Sequence, residues 1–287
     1  MANTREIKLR IKGINETKKI TKAMKLISAS KLKKAKMMHE ATMPYFKMVQ
    51  ETMNDILIHL PKLESEYFNK RENKKDRKVG YIVIASDKGL NGVYNHNIIK
   101  LAESVMDKEH AVVFPIGNVV VDHMERNHYN VVKDFGLAGE ITDIEQAQNI
   151  ADYMIKMFIE GRIDEVQIVF TEMLSAISLK PRVMTLLPLE KSDLIDESKE
   201  SKRITLTLEP TPESVLNTLA RKYVKGILYS GFIESYVSEH SARMNAMDNA
   251  TNNAEKIIKK LTLTYNRVRQ AAITQEISEI IGGASNV

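Results

Sequence analysis

Apolar side chains in the last third of the chain recur with an alternating spacing of three and four residues. A repeat of 3.5 residues places them along one side of an α-helix, and such a stripe needs a partner helix along its length. We call these positions the seam. They are Leu216, Leu219, Tyr223, Gly226, Ser230, Ile233, Val237, His240, Met244, Met247, Thr251, Ala254, Ile258, Leu261, Tyr265, Val268, Ala272 and Gln275.

The ends of this helix carry their own signals. Thr211-Pro212-Glu213 reads as an N-cap, an N1 proline and a first-turn acid, and Gly282-Gly283 predicts the end of the helix. Roughly 70 residues at about 1.5 Å each give a rod on the order of 100 Å long. A helix of that length predicts a shaft.

The first 60 residues predict a second long helix. Asn3 with Glu6 resembles a capping box. Pro44 costs about 3 kcal/mol in a helix interior, and helical periodicity on both sides of it favours a kink over two abutting segments. The apolar positions run Ile7, Ile11, Ile14, restart as Ile20, Met24, Ile27, and resume as Met38, Thr42, Tyr45, Val49, Thr52, Ile56, Leu60.

Two terminal helices that flank a middle domain favour an antiparallel coiled coil within one chain, because a parallel pair would require a long return path. Small and polar seam members such as Gly226, Ser230 and Thr251 argue against a uniform dimerising zipper. The alternative is a pair of core helices in an ordinary helical bundle.

The middle of the chain alternates between short β-branched runs and helical patterns, which predicts an α/β domain around a largely parallel sheet. The fold class is therefore α/β plus long helices, with a Rossmann-like central domain. The predicted segments are 1–60 (helix), 61–78 (charged connection), 79–210 (α/β domain) and 211–287 (helix). Within the domain the strands are 79–85, 111–116, 130–135, 165–172, 181–189 and 203–208, and the helices are 93–106, 119–126 and 144–160.

Composition narrows the functional classes. The 287 residues include no cysteine, which excludes disulfides, thiol catalysis and thiolate metal sites. No run approaches 18 apolar residues and no signal peptide is recognisable, so we expect an intracellular protein that is at most peripheral to a membrane. The net charge is +5, and twelve Lys or Arg residues against two Glu lie between Arg5 and Lys36. Such a basic arm predicts an acidic partner or nucleic acid.

Candidate chemistry is sparse. The loop Ser86-Asp87-Lys88-Gly89-Leu90-Asn91-Gly92 follows a predicted strand, where α/β sheets bind ligands, but its glycines fit neither a dinucleotide nor a phosphate loop. We therefore interpret it as a partner-facing turn. The scattered histidines predict no metal site, and no G-x-S-x-G occurs. We expect no cofactor and no catalytic site on this chain.

Four stretches resemble the gamma subunit of the rotary, proton-driven ATP synthase. They cover the chain from end to end in the order of that family, whose bacterial members this sequence resembles. Asn91 departs from the family, since many relatives carry cysteine there. The stretches are IKGINETKKITKAMKLISASKLKKA (11–35), SDKGLNG (86–92), ESYVSEHSARMNAMDNATNNA (234–254) and YNRVRQAAITQEISEIIGGA (265–284).

The resemblance implies a central rotor shaft that couples proton flow to ATP synthesis. Its terminal helices would form an antiparallel coiled coil inside three alpha and three beta subunits, and its α/β domain would contact the epsilon subunit and the c-ring. Catalysis would occur on beta, and this chain would lie at the cytoplasmic face of the bacterial membrane without entering it.

The resemblance also implies two sets of contacts with beta. One set would engage a catch loop of beta, and the other would pass its acidic lever loop. The catch residues are Arg269, Gln270, Thr274 and Glu276. The lever residues are Lys18, Lys19, Lys22, Met24 and Lys25.

Two other classes remain open on the sequence. A nucleic-acid-binding coiled-coil protein would use the basic arm on duplex phosphates, although no aromatic residue before Thr42 could stack on bases. A nucleotide-dependent enzyme with helical arms would need a phosphate-cradling loop, which we do not find in the sequence.

Overall fold

The computed structural model describes residues 4–71, 76–132, 144–175, 178–195 and 208–284. Contacts divide the chain into two compact units. The first combines the chain up to Ala29 with the chain from Arg243 onward, and the second runs from Ser30 to Ala242. Each unit therefore contains part of both terminal helices.

The elements follow the predicted alternation closely. In chain order they are α1 (Thr4–His59), a 3₁₀ turn (Glu66–Phe68), β1 (Val79–Ile84), α2 (Tyr94–Val105), β2 (Ala111–Ile116), α3 (Asn118–Arg126), β3 (Asn130–Val131), α4 (Ile144–Ile159), β4 (Glu165–Met173), β5 (Leu179–Leu187), α5 (Lys191–Leu194) and α6 (Pro212–Ala284).

The strands form one sheet in the order β3-β2-β1-β4-β5. β1 is parallel to β2 and β4, β2 is parallel to β3, and only β5 is antiparallel to its neighbour β4. The prediction of an α/β domain with a largely parallel sheet is confirmed. The third strand is shorter than predicted, since β3 ends at Val131, and most of the predicted strand 203–208 lies outside the described residues.

Alternating side chains of the sheet enter two cores on its opposite faces. Ile82 and Ile84 of β1 join one core with residues of α1, α4 and α6. Tyr81 and Val83 join the other with residues of α2 and α3. Helices on both faces explain why β1 and β2 are apolar at nearly every position.

The ends of the two long helices, and the course of α1 at Pro44, can be compared with the sequence predictions. Thr211 caps α6 as predicted, because its Oγ1 accepts a hydrogen bond from the Ser214 N–H at 3.3 Å. α1 is a single helix that continues through Pro44. α6 extends to Ala284, within one residue of the predicted end at Gly282-Gly283. The capping role of Asn3 lies outside the described residues.

The predicted seam of α1 is partly wrong. Ile20 and Ile27 are 60% and 57% exposed, whereas the polar neighbours Thr21 and Ser28 are 9% and 1% exposed. The seam does not restart at Ile20. It continues through α1 with an unbroken spacing of four and three residues, because polar and small side chains occupy positions that an apolar pattern cannot mark. Less exposed positions include Ile7, Ile11, Ile14, Lys18, Thr21, Lys25, Ser28, Leu32, Ala35, His39, Thr42, Phe46, Val49, Met53 and Ile56.

Candidate partner-binding surfaces

Within the first unit, α1 and α6 are joined by a layer of polar contacts that we call the polar layer. The Thr21 and Thr251 hydroxyls lie 2.8 Å apart. Lys18 Nζ lies 3.7 Å from Glu255 Oε1, and the Lys25 ammonium pairs with the Asp248 carboxylate. The residue numbers in each pair add to 272 or 273, which only an antiparallel pair produces. The predicted antiparallel coiled coil is confirmed.

The second unit contains an antiparallel contact between α1 and α6 of its own. His39 Nε2 of α1 lies 3.8 Å from Glu234 Oε1 of α6, and these numbers again add to 273. A carbon added at Gly226 would lie 2.1 Å from the ring of Phe46, so this seam glycine provides the hole that the aromatic side chain fills. The small residue at this position of the α6 seam therefore makes room for a large side chain of α1.

The five predicted lever residues divide into two groups. Lys18 and Lys25 pair with acids of α6, and Met24 is half-buried beside them. Lys22 is exposed, and Lys19 is also exposed while pairing with Glu16 of its own helix at 3.0 Å. Thr251 was predicted as a seam position, but sequence reasoning missed the acidic partners Asp248 and Glu255. The seven-residue spacing of these two acids beside the seam was the available signal.

An apolar surface also escaped the sequence reasoning. Ile20, Leu26 and Ile27 of α1 are more than half exposed, although they lie within the basic arm between Arg5 and Lys36. Because they fall outside the seam spacing, they are not needed to pair α1 with α6. This stretch therefore presents apolar as well as cationic groups to a partner.

The four predicted catch residues all lie at the surface of α6. Thr274 Oγ1 donates to the Gln270 carbonyl of the same helix at 2.9 Å. The register places the described start of α1, Thr4, opposite about residue 269 of α6. Ala272 and Gln275, which were predicted in the seam, are exposed because no described residue of α1 reaches them.

The loop at residues 86–92 is held together by its own side chains. Asn91 Nδ2 donates to Ser86 Oγ at 2.9 Å, and the Ser86 hydroxyl and N–H both donate to Asn95 Oδ1, at 2.9 and 3.1 Å. Ser86 and Asn91 are buried, and of the predicted partner-facing residues only Asp87, Lys88 and Gly89 are at least partly exposed. Even there, Asp87 Oδ1 accepts the Asn118 N–H at 3.1 Å.

A charged cluster connects α4 to α6 in the second unit. Asp152 of α4 accepts hydrogen bonds from Arg221 Nε at 2.9 Å and from Lys225 Nζ at 2.8 Å. Partial burial raises the pKa of the Asp152 carboxyl, but the hydrogen bonds from Lys225 and Arg221 outweigh this effect and hold the pKa below its usual value. The cluster is therefore ionised and fastens α4 to the long helix.

Neither a cluster of metal ligands nor a membrane-spanning helix occurs in the part of the chain that the structure describes. Within that part, no three His, Asp or Glu side chains are grouped so that they could hold a metal ion. Every helix in the described ranges is too short or too polar to cross a bilayer.

Comparisons with known proteins agree over the whole chain. The model of a family described as ATP synthase matches residues 3–287. The chain is 49% identical to the ATP synthase gamma chain of Ruminiclostridium cellulolyticum, over 99% of this chain and 98% of that relative. It is 39% identical to the sodium ion specific ATP synthase gamma chain of Acetobacterium woodii, over 98% of each. A chain from a cryo-EM structure of the Euglena gracilis mitochondrial ATP synthase shares its fold, with a TM-score of 0.66 and 18% identity over 98% of this chain and 93% of that one.

Proposed function

This chain belongs to the ATP synthase gamma-chain family, and from that membership we propose that it is the central rotor shaft of a rotary ATP synthase. In this proposal α1 and α6 turn inside a ring of three alpha and three beta subunits. The α/β domain contacts the epsilon subunit and the c-ring. Proton flow turns the shaft, and the shaft drives the catalytic sites of beta through their nucleotide states.

The observation that best supports a shaft is the register-specific pairing of α1 with α6. The three pairs of the polar layer, Lys18–Glu255, Thr21–Thr251 and Lys25–Asp248, tie the two helices at successive turns. Partly buried polar pairs specify one alignment of a coiled coil, because any slip separates them. A shaft that carries torque needs such an alignment.

We assign catalysis to the partner subunits rather than to this chain. The loop at 86–92 lies where α/β sheets commonly bind ligands, but Ser86, Asn91 and Asn95 use their polar atoms on one another. That arrangement favours a structural turn. Its exposed residues Lys88 and Gly89 are open to a partner subunit.

We propose that the contacts with beta are weak and that they form and break as the rotor turns. Lys19 and Lys22 offer exposed cations to the lever loop, and the catch is formed by Arg269, Gln270, Thr274 and Glu276. An exposed ion pair is worth about 0–1 kcal/mol. Contacts of that size suit a bearing, since a strong contact would hold the rotor at one angle.

The proposed location is the cytoplasmic face of a bacterial membrane, peripheral to the bilayer. We take the proton as the coupling ion. Selection of the ion belongs to the ligands of the membrane subunits, so exchanging the proton for a sodium ion would leave the role of this shaft unchanged.

Co-expression with the alpha and beta subunits of the same source tests the proposal. Native mass spectrometry is expected to show one copy of this chain with three alpha and three beta, and the same sample is expected to hydrolyse ATP. A chain that stays free, or equal copies of all three subunits, would refute the shaft. Binding of the free chain to arbitrary duplex with steep salt dependence would instead support the nucleic-acid class.

A further inference from the structure

Strand β4 extends beyond its parallel neighbour. β1 pairs with β4 only as far as Val83 opposite Val169. On its other edge β4 remains paired with β5 as far as Met173, with Thr171 opposite Pro181. The end of β4 therefore has one edge that no strand of the described sheet covers. Backbone N–H and C=O groups on such an edge require partners if they are buried.

Helix α6 supplies those partners from consecutive turns. Ser235 Oγ accepts the Thr171 N–H at 3.3 Å, and Ser238 Oγ donates to the Thr171 carbonyl at 2.9 Å. Glu234 Oε2 accepts the Met173 N–H at 3.3 Å. The two serines are 1% and 0% exposed. Three side chains of a helix thus continue the hydrogen bonding of the sheet edge.

These contacts lie at the reversal point of the sheet. After β1 the chain builds β2 and β3 on one side, and β4 lies on the other side. In open α/β sheets the crevice at the carboxyl ends of such strands is the usual ligand site. Here α6 occupies it, since the Tyr94 hydroxyl at the start of α2 donates to the Ser235 carbonyl at 3.2 Å.

A glycine permits this close approach. A carbon added at Gly231, one turn before Ser235, would lie 2.5 Å from Ile168 Cδ1 of β4. A larger residue there would require the end of the Ile168 side chain to move. Gly231 therefore lets α6 pack on β4 with Ile168 in its present position.

We propose that Glu234, Ser235 and Ser238 are positioning residues of a joint that transmits load between α6 and the sheet, a role that rests on the proposed rotor function. Apolar packing alone is non-directional, so it resists separation better than sliding. Hydrogen bonds require defined distances and angles, and buried groups that lose them find no water to replace them. The joint therefore fixes α6 along its axis and about it.

The test uses the assembled synthase in lipid vesicles. The Ser235→Ala/Ser238→Ala variant is expected to speed hydrogen exchange at the Thr171 amide by on the order of tenfold, the usual cost of one lost buried hydrogen bond. Ions pumped per ATP hydrolysed are expected to fall, while hydrolysis by the detached catalytic sector stays unchanged. Ser230→Ala is the matched control, since the described residues give the Ser230 hydroxyl no hydrogen bond and it lies on the same helix.

A second pair of variants protects the test against a folding defect. Glu234→Gln keeps an oxygen that accepts the Met173 N–H, whereas Glu234→Ala removes it. The joint predicts lower pumping per ATP for the alanine variant and recovery with glutamine.

The outcomes separate the joint from the rotor function. Failure of the wild-type chain to assemble or pump would refute the proposed function. If the wild-type complex pumps, and the Ser235→Ala/Ser238→Ala and Glu234→Ala variants pump as many ions per ATP, the joint alone is overturned. Unchanged exchange at Thr171 would also overturn it, because the hydrogen bonds would then not hold the strand.

Discussion

The threonine pair of the polar layer allows a quantitative test of the seam. Thr21 Oγ1 lies 2.8 Å from Thr251 Oγ1, 3.0 Å from the Lys18 carbonyl and within a part-buried site. Thr251 Oγ1 also donates to the Met247 carbonyl at 2.7 Å. The two hydroxyl groups therefore have two protons to donate among three short contacts. Valine has the same shape as threonine without the hydroxyl, so Thr→Val isolates the hydrogen bond.

The magnitudes follow from the two ways of removing that bond. Either single variant loses one net hydrogen bond and leaves a polar group facing a methyl, at a cost of about 1 kcal/mol. The double variant leaves no unmatched group and buries two extra methyls, each worth up to about 0.8 kcal/mol. We therefore expect the Thr21→Val/Thr251→Val variant to be as stable as the wild type, with a coupling of about 1–2 kcal/mol between the two sites.

Native-state hydrogen exchange of the full chain, read at amides 247–255, measures the free energy of opening in this part of the seam. Thr264→Val is the matched control, because Thr264 is exposed and its hydroxyl bonds only to the Lys260 carbonyl of its own helix in the contacts described. A double variant whose cost equals the sum of the single costs would refute the reasoning, since the two hydroxyls would then not interact.

Three further predictions concern other parts of the molecule. Gly226→Ala is expected to destabilise the fold by about 1–3 kcal/mol through overpacking against an aromatic ring of α1, and so to lower the melting temperature. Gly13→Ala, with nothing within 4 Å, is expected to stabilise the fold by about 0.5–1 kcal/mol and so to raise the melting temperature; two shifts of the same sign would contradict one of these expectations. Folding lowers the pKa of Asp152, so its contribution to stability is present above the unfolded-state pKa and is lost as the pH falls through the folded value. Melting temperatures of wild type and Asp152→Asn should therefore differ at neutral pH and converge in acid, and a constant difference would show that the ion pairs do not matter. Arg269→Ala with Thr274→Ala is expected to reduce ATP turnover of the assembled complex with no change in melting temperature, because both residues are exposed; full turnover would count against the catch.

The sequence predicted the α6 seam well because its spacing is regular and mostly apolar. From Ala254 to Val268 the predicted positions are less exposed than the residues between them, whereas Ala272 and Gln275 are exposed and no described residue of α1 lies opposite them. The α1 seam failed at Ile20 and Ile27 for a different reason. Hydrophobicity marks a helix face only where the face is apolar, and here the buried positions are Thr21 and Ser28.

The joint between α6 and β4 could not be predicted at all. Ser235 and Ser238 are separated from Thr171 by more than 60 residues, and serine on a helix is usually a surface residue. The loop at residues 86–92 was predicted only in part. Its turn residues were recognised from the sequence, whereas the burial of Ser86 and Asn91 was not. Local patterns predict elements, whereas hydrogen bonds between distant elements depend on how those elements pack.

The seven-residue spacing of the first unit has a mechanical consequence. Ile7, Ile14, Thr21 and Ser28 are spaced by seven residues along α1, and Ile7, Thr21 and Ser28 are buried while their neighbours are more exposed. Since an α-helix has 3.6 residues per turn, a strict seven-residue repeat drifts by about 20° per repeat and makes the paired helices wrap around each other as a left-handed supercoil. Twist of one sense tightens that wrap, and twist of the other sense opens it. Rotation during synthesis and rotation during hydrolysis therefore load the same two helices differently, so the rod should be torsionally stiffer in one direction than in the other.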